Sequence, residues 1–203
     1  MDTINFPTNL NLDGALRATS NESPTDRSYL VQENLVACPV PLSSLVVWDA
    51  PGTHLPAAAA ADDLGLVHAG INAAEIVKGV DAGATTETQY GRFDYVVPPE
   101  YVAGQSITIR INASMEVVAD TSAVIDVECY RQAAPTVDIC ATAQQNMNSA
   151  TPANFDFVLT VTSVVVGDVL KIRIKTVAVD AGDAAPLINA QIHSLTPKLD
   201  VKG

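Results

Sequence analysis

The chain holds few of the residues that usually carry enzyme chemistry. It has three histidines and three cysteines in 203 residues, and aromatic side chains make up 5%. The histidines, His54, His68 and His193, form no HxH or HExxH pair, so a metal site is not indicated. In the stretch Thr85–Val118, no nucleophile stands beside a base and no phosphate loop is present. We therefore predict a protein that is not an enzyme and that holds no cofactor and no metal.

Positive charge is also scarce. The chain has 11 Lys and Arg residues against 23 Asp and Glu residues, a net charge of −12. No Lys or Arg lies between Arg27 and Lys78. Such a chain repels phosphate backbones, so we predict no nucleic-acid partner. Charged residues amount to only 17%, which is low for a monomer that keeps its whole surface in water, and we therefore predict self-association.

Long apolar runs are missing too. The alanine run Ala57–Ala61 is far shorter than the roughly 18 residues of a membrane-spanning helix. The opening residues, MDTINFPTNLNLDG, contain neither the basic nor the apolar region of a secretion signal. We therefore predict no membrane partner and a product made in the cytoplasm.

The cysteines are too few and too irregular for a disulfide framework. Cys38, Cys129 and Cys140 are an odd number at uneven spacing. Cys129 has the same parity as Ile125 and Val127, which predicts a small buried hydrophobic side chain. A bridge between Cys129 and Cys140 across a hairpin is the second alternative.

Apolar and polar residues alternate with a period of two in several stretches of the chain. Ile107, Ile109 and Ile111 alternate with polar residues in QSITIRIN, and Leu170, Ile172 and Ile174 do the same in VLKIRIK. This spacing is typical of a strand with one buried and one solvent-exposed face. We predict that the two sets point into one core. Eight or more such strands without a long amphipathic helix predict an all-β, antiparallel two-sheet sandwich, jelly-roll-like.

The chain divides into an arm and one domain. Residues 1–26 are rich in Asn, Thr, Ser, Asp and Pro and are predicted to form an extended N-terminal arm, with residues 27–203 as a single β-sandwich domain. Strands are expected at Tyr29–Val40 and Ser44–Trp48, and the last strand from Leu187 to Leu195, before a charged tail. The long connection from Asp49 to Leu66 is expected to be functional, docked on a neighbour or partly helical.

Other residues offer weaker signals of binding. Asp62-Asp63 and the segment Asp180–Asp183 could supply oxygens to calcium, but turn residues are the favoured interpretation. Trp48 is expected either to pack at a corner of the core or to stack on a sugar ring. A basic row on one strand face is expected to be solvated or to meet an acidic surface of a neighbour. It consists of Lys171, Arg173 and Lys175.

Several stretches together resemble structural proteins of tailed bacteriophages. They are the polar arm, WDAPGTHLP, DDLGL, YGRFDYVVPPEYVAG, SITIRINASM, DVECYR and GDVLKIRIKTVAVDA. Their pattern, over Ser44 to Leu195, is similar to jelly-roll decoration (cement) proteins. The resemblance implies a virion protein on the capsid exterior that bridges subunits of the major capsid protein and stabilises the phage head. It also implies a homo-oligomer, most plausibly a homotrimer.

Two further expectations concern the contacts of the arm and an alternative function. Contact with the capsid or with another subunit is predicted for four apolar residues of the arm, namely Phe6, Leu10, Leu12 and Leu16. The alternative function is a glycan- or receptor-binding module of a phage fibre or tail.

Overall fold

The computed structural model describes residues 34–67, 75–83, 85–119, 121–180 and 188–201. Within these ranges the chain forms eleven strands and one short 3-10 helix, Leu42–Ser44. The strands are β1 (Asn34–Ala37), β2 (Gly65–Val67), β3 (Ile76–Lys78), β4 (Thr86–Val96), β5 (Ile107–Met115), β6 (Ser122–Arg131), β7 (Ala134–Asp138), β8 (Gln145–Asn146), β9 (Ala153–Val158), β10 (Val169–Val179) and β11 (Ala190–Val201).

The strands form two antiparallel sheets. The first sheet has the order β2-β3-β11-β5-β9, with β1 also paired to β11, and the second has the order β4-β10-β6-β7, with β8 also paired to β6. The chain changes sheet at each step from β3 to β6 and again from β9 to β11. This wiring makes the protein an all-β, two-sheet sandwich of the jelly-roll type, which confirms the predicted fold class.

The core lies between the inner faces of the two sheets. Ile107, Ile109 and Ile111 of β5 are fully buried in the same cluster as the inward residues of β10. Those residues are Leu170, Ile172 and Ile174. The prediction that both sets share one core is therefore confirmed, because alternation on a half-buried strand fixes which face points inward.

The cysteines are free in the described structure. Cys129 is fully buried, as its parity predicted, and forms no bridge with Cys140. Burial raises the pKa of the Cys129 thiol to about 12. A thiol that stays protonated behaves as a small apolar side chain rather than as a nucleophile.

The prediction of a strand at Ser44–Trp48 is wrong. The 3-10 helix Leu42–Ser44 occupies its start, where Ser44 donates both its amide and its hydroxyl to the carbonyl of Pro41. The chain then meets the edge of β4 at a single point, with two hydrogen bonds between Val46 and Arg92 of 2.8 and 3.0 Å. A proline-started turn thus replaces a strand, and it places Trp48 beside the second sheet.

The last strand extends beyond Leu195, where we expected a charged tail. β11 continues to Val201, and within this extension Leu199 is fully buried and Asp200 is 6% exposed. The strand tolerates Pro197 because the proline carbonyl still accepts a hydrogen bond from Cys38, at 2.8 Å. Residues 199–201 of the supposed tail are therefore part of the first sheet, paired with β5 at Leu199 and with β1.

The connection from Asp49 to Leu66 contains no helix, so the helical alternative is wrong. It docks instead on its own domain, because the amide of Leu64 donates to the carbonyl of Tyr90 in β4, at 2.9 Å. The amide of Leu66 donates to the carbonyl of Pro56, at 2.7 Å. The connection therefore covers the open edge of the second sheet.

Some predictions concern residues outside the described ranges. The arm, with Phe6, Leu10, Leu12 and Leu16, lies within residues 1–33, which are not among them. Its contact role and the boundary at residue 26 stay predictions. In the described part of the chain, no helix is long and apolar enough to cross a membrane.

Candidate functional site

A pocket of about 400 Å³ lies on the outer face of the second sheet. We call it the Trp48 pocket. Side chains from β4, β6, β7 and β10 form it together with the segment that follows the 3-10 helix. Its lining residues are Trp48, Arg92, Tyr130, Pro135, Thr136, Lys171 and Arg173.

The alternation of β10 places the basic row on this face. Since Leu170, Ile172 and Ile174 point inward, Lys171, Arg173 and Lys175 point outward. The register sets each basic residue between two outward residues of the flanking strands. The opposed residues are Asp94 and Tyr130 for Lys171, Arg92 and Glu128 for Arg173, and Tyr90 and Asp126 for Lys175. Three of the residues that face the basic row are therefore acidic residues of the same chain, and contact with an acidic surface of a neighbour stays a prediction.

Arg173 is held against two aromatic rings. Its guanidinium carbon lies 4.1 Å from the ring centroid of Trp48 and 5.0 Å from that of Tyr90. The two rings lie 5.8 Å apart at an interplanar angle of 44°. Contacts of this kind combine cation–π attraction with apolar packing. Trp48 is half-buried and lines the pocket, so it does not pack at a corner of the core.

Carboxylates fix the two arginines of the pocket. Glu128 accepts hydrogen bonds from the Arg173 guanidinium and, at 2.6 Å, from the hydroxyl of Tyr130. The hydrogen bond to Glu128, together with burial, raises the pKa of Tyr130 to about 12. The phenol therefore stays a neutral hydrogen-bond donor at physiological pH. Asp94 binds Arg92 through two hydrogen bonds of 2.9 Å, which fixes the guanidinium plane.

Sequence reasoning singled out Trp48 and the basic row but missed the rest of the pocket. Tyr90 and Arg92 alternate with the buried Gly91 and Phe93, so the period of two could have placed them outward. By the same period, Glu128 and Tyr130 point outward, and Cys129 between them points inward. What the local pattern does not contain is the register between β4, β10 and β6, which brings these residues together.

The structure does bring one serine next to a histidine. The hydroxyl oxygen of Ser114 lies 2.9 Å from Nε2 of His193, across 79 positions of sequence. Burial lowers the pKa of His193, which favours the neutral ring that a general base needs. Ser114 is only 2% exposed, however, so a substrate cannot reach its hydroxyl. His54 is exposed, and His68 lies outside the described residues.

The acidic pairs do not form a metal site in the described structure. Across the described ranges, no group of three or more His, Cys, Asp or Glu side chains is placed to hold a metal ion. Asp62 lies in a turn, where its carbonyl accepts a hydrogen bond from the amide of Tyr90 at 2.7 Å. Asp180 is buried, and residues 181–183 lie outside the described ranges.

The buried carboxylate of Asp63 predicts how the stability of the protein depends on pH. One of its carboxylate oxygens is buried without a hydrogen-bond partner, and burial, with the charges of Asp62 and Asp49, raises its pKa. Because the pKa of Asp63 is higher in the folded protein than in the unfolded chain, where it is about 3.9, the contribution of this carboxyl to the free energy of unfolding is fully present below that pH. The contribution is lost as the pH rises through the folded-state pKa. We expect Asp63→Asn to raise the Tm at pH 7 and to have little effect near pH 3.5.

Thermal melts at both pH values check this expectation. Glu100→Gln is the matched control because Glu100 is exposed and the substitution removes the same charge. An equal rise in Tm for both variants at pH 7 would point to the net charge of the chain instead of the environment of Asp63.

Comparison with known proteins yields similarity of structure only. No family model and no curated protein sequence matches the chain. Among solved structures, the chain is similar to a xylan-binding module, CBM15, at 12% identity and a TM-score of 0.42, covering 83% of this chain and 99% of that one. It is also similar to a "Family 16 Carbohydrate Binding Module-2", at 9% identity and a TM-score of 0.39, covering 64% of this chain and 79% of that one.

A third similar structure is the N-terminal cellulose-binding domain of Cellulomonas fimi β-1,4-glucanase C. The identity is 11% and the TM-score 0.37, and the match covers 78% of this chain and 86% of that one. Nothing in these comparisons indicates a phage origin or a role in capsid decoration. At such identities and TM-scores, what the chain binds has to be inferred from its own side chains.

Proposed function

We propose that the protein is a carbohydrate-binding module that binds a saccharide in the Trp48 pocket without turning it over. The observation that carries this proposal is the half-buried indole of Trp48 in the pocket wall, surrounded by hydrogen-bond donors. A sugar ring has an apolar C–H face and a rim of hydroxyl groups. The indole suits the face, and Arg92 and Lys171 suit the hydroxyls.

The size of the pocket supports a small ligand. Its volume of about 400 Å³ lies within the range of about 300–1,000 Å³ that is usual for small-molecule sites. The pocket opens on a sheet face, so the rest of a longer saccharide has space to run across the strands. A short segment of a polysaccharide is therefore the ligand that we propose.

The absence of carboxylates from the pocket lining supports binding without hydrolysis. Glycoside hydrolysis ordinarily needs two carboxyl groups that flank the scissile bond. None of the seven described lining residues is an Asp or Glu. The nearby Glu128 and Asp94 are both engaged by arginines. The described lining therefore supports a site that holds a saccharide without cleaving it.

Capsid decoration rests on different residues. That role, with the major capsid protein as partner and a homotrimer as the assembled form, is predicted from the resemblance over Ser44 to Leu195. Its predicted contact residues lie in the arm, outside the described residues. It stays a prediction from resemblance. The Trp48 pocket favours the alternative, glycan binding.

Trp48 also provides the test, because it is the only tryptophan of the chain. Titration of a panel of plant, bacterial and animal glycans should change its fluorescence in a saturable way for at least one of them. We expect Trp48→Ala, measured by calorimetry, to weaken that binding at least tenfold, which corresponds to about 1.4 kcal/mol. The Tm should change little because Trp48 lies on the outer face.

Trp48→Phe is the matched variant. It keeps an aromatic face over Arg173 and should retain most of the affinity, whereas Trp48→Ala should not. The proposal fails if no glycan of the panel binds, or if Trp48→Ala binds as tightly as the parent protein.

A further inference from the structure

The Trp48 pocket concentrates positive charge on an acidic protein. Three of the chain's 11 Lys and Arg residues line it, namely Arg92, Lys171 and Arg173. No carboxylate belongs to the described lining, although Asp and Glu outnumber Lys and Arg by about two to one. A site for a neutral sugar needs hydrogen-bond donors and acceptors together, since each hydroxyl both donates and accepts. This pocket offers mainly donors, which suits a ligand rich in acceptors.

The cations differ in how far they are neutralised. Arg92 is paired with Asp94, and Arg173 is paired with Glu128. Lys171 has no ion-pair or hydrogen-bond partner among the described residues. Its two neighbours across the ladders are Asp94, which is paired with Arg92, and Tyr130, whose hydroxyl is committed to Glu128. Lys171 is therefore the cation of the pocket with unused binding capacity.

Arg173 adds a second, weaker sign of an acceptor-rich ligand. Its guanidinium has five N–H donors, yet the described structure pairs it only with Glu128. Its Nε atom is buried without an acceptor. The contacts with Trp48 and Tyr90 fix the guanidinium plane, and Arg173 lines the pocket, so binding of an acceptor to Arg173 would cost little further side-chain entropy.

From these observations, and resting on the proposed function, we infer that the ligand is a uronic-acid polysaccharide and that Lys171 binds its carboxylate. A uronic acid joins the two features that the pocket can recognise, an apolar ring face for Trp48 and an anionic acceptor for Lys171. Trp48 and Lys171 line the same pocket, so one sugar unit makes both contacts.

The charge of the whole chain favours carboxylated over sulfated saccharides. A net charge of −12 repels a polyanion at a distance, and this repulsion grows with the charge of the ligand. A uronic acid carries a single charge on each acidic ring, whereas heavily sulfated chains carry several. A polyuronate is itself repelled at a distance, so its affinity has to come from the contact of a carboxylate with Lys171 inside the pocket.

The experiment compares each acidic polymer with its own neutral form. Polygalacturonate and alginate are titrated against Trp48 fluorescence, together with the same polymers after chemical reduction of their carboxyl groups. At least one acidic polymer should bind tenfold or more tightly than its reduced form. Because the contact is ionic and exposed to solvent, this preference should shrink when the salt concentration rises from 0.05 to about 0.5 M.

Lys175→Gln is the matched control for Lys171→Gln. Both lysines belong to the same row on β10, and both substitutions remove one positive charge, but Lys175 does not line the pocket. We expect Lys171→Gln to abolish the preference for the acidic polymer and Lys175→Gln to keep it. Trp48→Ala, which has no tryptophan and is therefore measured by calorimetry, should weaken the binding of acidic and reduced forms alike.

The outcomes separate this inference from the proposed function. Equal binding of the acidic and reduced forms, or tight binding only of neutral or sulfated glycans, overturns the uronic-acid inference while the protein remains a carbohydrate-binding module. A preference for the acidic form that survives Lys171→Gln overturns the role of Lys171. Failure of every glycan, acidic or neutral, overturns both.

Discussion

Ile109→Asp is expected to leave the protein unfolded at room temperature. The side chain of Ile109 is fully buried at the centre of β5, between Pro197 of β11 and Phe157 of β9 in the sheet register. An aspartate there would place a carboxylate in the core without a partner, at a cost of several kcal/mol. Domains of this size are commonly stable by only about 5–15 kcal/mol. Circular dichroism and urea denaturation measure the loss directly.

Thr108→Asp is the control for that experiment. Thr108 is the preceding residue of the same strand, points to the outer face of the first sheet and lies opposite Lys198. The new charge stays in water beside an opposite charge, so we expect a change in stability within about 0.5 kcal/mol. If Ile109→Asp melts at the same temperature as the parent protein, the inward orientation of Ile109 is wrong.

The long strands of the core could be predicted because their signal is local. In β5 and β10 the apolar residues recur at every second position, and burial of one face then follows from the pleat. The extension of β11 was missed because Lys198 and Asp200 resemble a solvated end. Lys198 points outward, as a charged residue of a strand should, but Asp200 is buried against the local pattern.

The pocket could be predicted only in part from local sequence patterns. The sequence placed Lys171, Arg173 and Lys175 on one outer face, which the structure confirms. Their partners come from strands more than 40 residues away, such as Glu128, which is 45 positions from Arg173. Such pairings depend on the register of three strands, and no local pattern encodes it. Trp48 reaches the pocket through a turn that the sequence predicted as a strand.

The helical alternative for the connection between Asp49 and Leu66 is wrong for a steric reason. An alanine run favours a helix when nothing else acts on it. Here the backbone of Ala58 and Ala59 lies directly against Gly65 of β2. The approach is possible only because glycine has no Cβ, and it leaves Ala57 and Ala58 in a bend and not in a helix. Tertiary contact therefore overrides the helical propensity.

Gly65→Ala should consequently be strongly destabilising although it adds a single methyl group. A Cβ at position 65 would lie 2.1 Å from the amide nitrogen of Ala59 and 2.3 Å from the carbonyl carbon of Ala58. Both are backbone atoms, so the connection has to move away from β2, and with it the hydrogen bond between Leu66 and Pro56. Overpacking of this kind typically costs about 1–3 kcal/mol and sometimes more, and we expect the upper end.

Gly52→Ala separates the steric effect from the backbone effect. Gly52 has a φ of +89° and no atom within 4 Å of an added Cβ, so its substitution adds backbone strain of about 1 kcal/mol without a clash. Urea denaturation should therefore show a larger loss for Gly65→Ala than for Gly52→Ala. The opposite order would mean that the connection does not lie against Gly65. Because that connection also covers the edge of β4 beside Tyr90, Gly65→Ala should in addition shift the fluorescence of Trp48, which Gly52→Ala should leave closer to that of the parent protein.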